Sequence, residues 1–175
     1  MKSLNQTRKI KNLLLIVVVA IFSSLILSCS KDDIEVKQPK VDAMVSNWFD
    51  AGGFRYNNRK PIYFYDVNDA RITQNILDQG QVLVYVCIVD VKTGEQTYHR
   101  VSYNNGSNKI DFKLQSEKVT ITMNYNPMTS DICHYFCYIL IPEGYEMEHV
   151  DLNNFEEVAA NFNINKEVTK YLQFL

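Results

Sequence analysis

The run Cys133-His134-Tyr135-Phe136-Cys137 gathers two thiols and an imidazole within five residues. Such groups ligate soft metals, and a thiol beside an imidazole is the pair that nucleophilic catalysis uses. The spacing argues against both uses. The surrounding residues read as a strand, on which alternate side chains face opposite ways, so His134 is expected to point away from Cys133 and Cys137. Four residues of strand at about 3.3 Å each hold these cysteines about 13 Å apart, beyond the roughly 7 Å between Cα atoms that a disulfide tolerates. Cys87, on a separate apolar run, has two arrangements open to it. It can bridge to Cys133 or Cys137 across a sheet, or it can be one of three buried thiols acting as small hydrophobes, which is the expectation. His99 and His149 stand alone in polar segments and read as solvated. Asp66, Asp69, Asp131 and Asp151 fall in separate turns, where a carboxylate ordinarily bonds the backbone. The chain contains no Gly-x-Ser-x-Gly, no phosphate-binding glycine loop and no His-Glu-x-x-His, the motifs that would announce a hydrolase or nucleotide site. No catalytic residue, metal or cofactor is expected.

Cys29 is a different kind of cysteine. It follows Leu25-Ile26-Leu27-Ser28, the end of an apolar run from Leu13, which is itself preceded by the basic segment MKSLNQTRKIKN. A basic start, an apolar stretch and a small residue before the break make a secretory signal. A helix of about 15 apolar residues covers roughly 22 Å, short of the roughly 30 Å hydrocarbon core, so a permanent membrane span is the weaker reading. Ile26-Leu27-Ser28-Cys29 resembles the bacterial lipobox, with Leu27 bulkier than usual at its place. A thiol there is explained by thioether chemistry with a diacylglyceryl group. Two or more acyl chains, at about 0.8 kcal/mol per buried methylene, hold a protein to a membrane where a single chain would not. Residues 1–28 are thus expected to be a lipoprotein signal peptide and Cys29 the lipid anchor. Residues 29–40 are charged, amide-rich and carry Pro39, a solvated tether whose eleven residues after the cysteine span about 18 Å as flexible coil.

The charge balance supports that division. The 18 basic and 20 acidic residues give −2 overall, but four of the basic ones, Lys2, Arg8, Lys9 and Lys11, precede Cys29, leaving 14 against 20, or −6. An acidic chain lacks the lysine and arginine footprint that phosphate backbones demand, so nucleic acid is not an expected partner. At 175 residues with 46% hydrophobic content, the chain has material for one packed domain.

That domain is expected over residues 41–163, where the strand period dominates. Ile110, Phe112 and Leu114 share one face of a run; Val119, Ile121, Met123 and Tyr125 share one face of the next; Gln115 to Lys118 is a polar turn between them. A second hairpin is predicted between Gln81–Val91 and Gln96–Tyr103 around Thr93-Gly94, and Asn104-Asn105-Gly106 is the clearest tight-turn signal. Pro61–Tyr65 and Ile132–Ile141 add strands. About seven short strands separated by turns predict a mainly β protein, an antiparallel β-sandwich. Two short helices are expected beside them. Ile72–Leu77 ends at Asp78-Gln79-Gly80, with Gly80 suited to a C-terminal cap. Asp151–Asn154 supplies cap residues before an apolar stripe of Phe155, Val158, Ala159 and Phe162. Residues 164–175 read as a C-terminal extension.

Within the domain the aromatic residues suggest a ligand surface. Trp48, Phe54, Tyr56, Tyr63 and Tyr65, in an early cluster that also holds Phe49, lie beside an Asp50–Gly53 loop expected to be flexible, and could stack a sugar ring or meet a protein. The alternative is that they pack the sandwich, as such residues usually do in strands.

The stretch ITQNILDQGQVLVY from Ile72 to Tyr85, with Trp48 upstream and Phe155-Glu156-Glu157-Val158 near the end, resembles a group of small uncharacterised surface lipoproteins of Bacteroidota. The likeness covers most of residues 45–164 and implies a mostly β domain on the cell envelope, with no activity attached. Ser30-Lys31-Asp32-Asp33 resembles the short acidic export signal of such proteins and implies display on the outside of the outer membrane; the alternative is a set of linker charges facing the periplasm. The expected class is a non-catalytic envelope module that binds a glycan or a protein partner. A small hydrolase acting on envelope or dietary polysaccharide is the alternative.

Overall fold

The computed structural model describes residues 42–147, 149–166 and 168. The anchor Cys29, the signal segment and the tether fall outside them.

The protein is mainly β, with two antiparallel sheets as predicted. Strands β1 (Met44–Val45), β2 (Phe49–Asp50), β5 (Gln81–Asp90), β6 (Gln96–Val101) and β10 (Ile132–Ile141) form the first sheet, in the order β1-β10-β5-β6 with β2 also on β10. The second runs β3-β4-β9-β8-β7, from β3 (Arg55–Asn57), β4 (Ile62–Asn68), β9 (Lys118–Met123), β8 (Asn108–Gln115) and β7 (Tyr103–Asn105). The ten described strands exceed the number expected because β1, β2, β3 and β7 are two or three residues long, too short to show a period. The chain passes from the first sheet to the second twice, through the 3-10 turn Ala51–Gly53 and through Ser102.

The hairpins form at the predicted turns. Gln115 pairs with Lys118, and Glu117 takes the left-handed conformation at φ 61 that closes so short a loop,. Asn105 pairs with Asn108, and the positive φ there falls on Gly106, at 62.

Alternation explains the second sheet. Val119, Ile121 and Met123 face the first sheet and are buried, whereas Lys118, Thr120 and Thr122 face out. Strands β5 and β10 are different, because burial does not alternate along them: β10 is buried from Cys133 to Ile141 and β5 from Leu83 to Cys87. Val84, Val86, Phe136, Tyr138 and Leu140 fill the core between the sheets. Leu83, Tyr85, Cys87, Cys137 and Ile139 belong to another core on the opposite face. A strand covered on both sides reads as a continuous apolar run rather than an alternating one, as VLVYVCIV and CHYFCYILI do.

The second cover is helical. Helix α1 (Gln74–Gln79) closes the inter-sheet core with Ile72 and Ile76, whereas α2 (Phe155–Asn161) lays Phe155, Val158, Ala159 and the following Phe162 on the outer face of the first sheet. The architecture is a β-sandwich with a third, partial layer. Thr73 caps α1 through its hydroxyl on the Ile76 amide, and Asn154 caps α2 through its side chain on Glu156. Gly80 does follow α1, but not as a left-handed cap: its φ of −93 is ordinary. A side chain there would meet the Ile141 carbonyl oxygen at 2.6 Å, so close approach of two backbones requires the glycine,.

The segment from residue 164, expected as an extension, begins inside this outer core. Ile164 and Val168 are buried, the Trp48 indole donates to the Asn165 carbonyl at 2.8 Å, and the Tyr98 hydroxyl donates to that of Lys166 at 3.1 Å.

Candidate functional site

The three described cysteines are free and buried, with no disulfide among them. In the register of β5 and β10, Cys87 stands opposite Tyr135, diagonal to both Cys133 and Cys137. Burial pushes the Cys87 thiol up to about 11 and raises the other two, so none is poised as a nucleophile. His134 lies on the opposite face of β10, as the alternation requires. Its Nδ1 is 2.8 Å from the Pro127 carbonyl and its Nε2 is 2.9 Å from the Tyr125 hydroxyl. A carbonyl only accepts, so Nδ1 carries the proton and Nε2 accepts from Tyr125. Burial lowers the His134 pKa and holds the ring neutral. His99, expected in solvent, instead stacks on Tyr103 with centroids 4.3 Å apart.

The five aromatic candidates do not share one surface. Trp48 is a core residue, 8% exposed, packed against Tyr98 and Phe155 under α2. Phe54 stacks on Tyr65 at 5.6 Å, and Phe49 lies 5.8 Å from Tyr65. The Tyr65 ring also abuts Gly53, where an added Cβ would sit 2.4 Å from Cε2. Its faces are occupied by the protein. Tyr56 is the outlier, 49% exposed and 4.9 Å from Tyr63 at the β3 edge. Asp50–Gly53 forms the 3-10 turn, held by the Asp50 carboxylate on the Gly52 amide.

The acids separate as expected but not all by turn chemistry. Asp66, on β4, accepts from Thr120 Oγ1 at 2.6 Å and from Arg55 at 3.3 Å. Asp151 bonds the Asn153 amide and Asp131 pairs with Lys92.

Asp69 is the exception, because it organises a site. It follows β4 and lies beside a hollow of about 310 Å³, walled by Asn47, Phe49, Tyr65, Asn68, Arg71 and Tyr138 among others. The carboxylate accepts from the Arg71 amide at 2.9 Å, from Arg71 Nε at 2.9 and 3.0 Å, and from Arg71 Nη2 at 2.7 Å. The Tyr138 hydroxyl donates to its Oδ2 at 2.5 Å. The bonds from Arg71 do most to hold the Asp69 carboxyl down at about 2. Tyr138 is pushed up to about 12, first by burial and then by its bond to Asp69. Tyr138 reaches the hollow from β10, in the other sheet, so the network fastens the β4–α1 connection to the sandwich interior.

The chemistry of this arrangement is limited by how its groups are already used. Both Asp69 oxygens are filled by internal donors, and the carboxylate is ionised, so it has neither a proton to give nor a free lone pair aimed at a reacting group. Arg71 remains 44% exposed at the hollow. Among the described residues, no group of three or more His, Cys, Asp or Glu could hold a metal ion. Of the residues walling the hollow, the early aromatic cluster contains Trp48, Phe49 and Tyr65. Arg71 and Asn68 had a local signal, Asn68-Asp69-x-Arg71 in a turn, whereas Tyr138 reaches the hollow only through the strand register. Comparisons with protein-family models, with curated proteins and with solved structures found no match.

Proposed function

We propose that the protein is a non-catalytic lipoprotein of the cell envelope whose β-sandwich binds a ligand, a glycan in the first instance, at the hollow beside Asp69 and Arg71. The observation that carries this reading is the wall itself: a preorganised Asp69–Arg71–Tyr138 network next to aromatic edges from Phe49 and Tyr65. Small polar ligands are held by a few fixed polar groups set in an apolar lining. The sequence supports the rest. Cys29 becomes the acylated N-terminus after residues 1–28 are removed, and Ser30, Lys31, Asp32 and Asp33 direct the chain to the outside of the outer membrane. The saturated Asp69 disfavours the polysaccharide hydrolase, for which a second carboxylate a few ångströms away would be needed.

A glycan array probed with the full lipidated protein, alongside an activity screen on the same polymers, tests the proposal. Binding without turnover is expected. Turnover would sink the non-catalytic reading, and silence on both would sink the glycan.

A further inference from the structure

We infer that the hollow recognises the carboxylate of an acidic sugar of the uronic acid type, with the outer edge of the Arg71 guanidinium as its receptor. The inference rests on the reading of the hollow as a glycan site and names the sugar class.

Arg71 grips Asp69 side-on, through Nε and Nη2. That leaves Nη1, with its two N–H groups, outside the pair, on a side chain 44% exposed at the hollow. A guanidinium is a planar fork of five donors and no acceptor. When one edge is taken by a carboxylate, the other still offers parallel donors to a second.

What Asp69 lacks matters equally. A neutral sugar is recognised through hydroxyls that donate as well as accept, and a free carboxylate is the usual partner for a donor. Here the carboxylate is consumed by Arg71 and Tyr138. The network therefore offers the hollow donors in excess, which suits a ligand group that only accepts. Asn47 and Asn68 also line it, and their side-chain amides can donate to and accept from a sugar ring's hydroxyls. Charge selects among acceptors. The Asp69–Arg71 pair is formally neutral, so the second charge of a dianion such as phosphate adds repulsion from Asp69 with no further cation in the pair to offset it, whereas a monoanionic carboxylate sets its one charge against the remaining guanidinium edge.

The test is an NMR titration of the full mature protein in detergent micelles with glucuronate, its methyl ester, glucose, acetate and inorganic phosphate. Glucuronate is expected to bind about tenfold or more tightly than the ester or glucose, with shifts centred on Arg71 and Asn68; a lost two-pronged contact to a charged group is of this order. Arg71→Lys keeps the charge but not the fork and is expected to weaken glucuronate about tenfold. The comparison of glucuronate with its ester on the unaltered protein needs no variant, so it stands even if Arg71→Lys disturbs folding. Equal binding of the ester or glucose overturns the carboxylate inference and leaves the glycan reading intact. Acetate as tight as glucuronate overturns the sugar class, and tighter phosphate overturns the charge argument. No shift with any sugar fells the glycan reading and the inference together.

Discussion

Asp69 shows how one side chain sets a measurable property of the whole chain. Its native pKa of about 2 lies below the ordinary aspartate value of 3.8, so between these values the unfolded chain binds more protons. The stabilisation is fully present above about pH 4 and is lost as the pH falls toward 2; with water reaching Arg71 it amounts to about 1–2 kcal/mol. Asp69→Asn should therefore lower the urea midpoint at neutral pH and flatten the acid decline of the native protein, and an unchanged slope would disprove the assignment. His134 acts in a higher window. Its pKa is lowered by burial, so the stability it contributes declines as the pH drops below the unfolded value of about 6.5. Ring NMR should find the Nδ1–H tautomer, with titration below the free-imidazole value of about 6.5,. The thiols give a further check: Cys87 and Cys137 are fully buried and Cys133 nearly so, so alkylation of all three should wait for denaturant. At this scale the sequence showed that His134 would stand apart from Cys133 and Cys137, since alternation alone separates them,. It did not show that Asp69 and Tyr138 meet, because 69 residues separate them and only the strand register joins them.

At the level of elements, α2 and the segment behind it determine whether the first sheet survives. Phe155 is buried against Trp48, Tyr85 and Tyr98, stacked on the last at 4.3 Å. Phe155→Ala should cost about 3–5 kcal/mol, the usual range for emptying an aromatic site in a core, readable as a lowered midpoint in urea. A chain ending at Asn163 should lose a comparable amount, since Ile164 and Val168 are each worth about 1.5–3 kcal/mol by burial. A truncated chain as stable as the full one would show that the outer core is dispensable. The helix itself was legible, from its cap and apolar stripe. The layer it makes was not recognised, although the signal was present: two ten-residue strands without alternation cannot leave a face in water. The first sheet's short strands, β1 and β2, had no readable period and owe their existence to β10.

For the molecule as a whole, the prediction concerns address. Mature protein should begin at Cys29 and carry acyl chains by mass, and Cys29→Ala should leave an uncleaved or water-soluble form. Changing Lys31, Asp32 and Asp33 together to Ala should protect the protein from protease added to intact cells while leaving Cys29 acylated. Resistance of the unaltered protein would refute surface display, and equal digestion of both would remove these residues as the signal. The strand order adds a constraint of timing. Among the described residues, 44–45 have no strand partner other than β10, so the first of these strands in the chain waits for the last. Until Ile132–Ile141 arrives, β5 lacks a neighbour on one edge and its apolar faces lack half their cover. Such unpaired edges and exposed apolar surfaces are what make partly folded chains aggregate. The first sheet therefore cannot be completed piecemeal from the N-terminus. Under the proposed export the chain would have to stay unfolded until nearly all of it had crossed, and a stalled chain ending before Ile132 should be digested throughout β5.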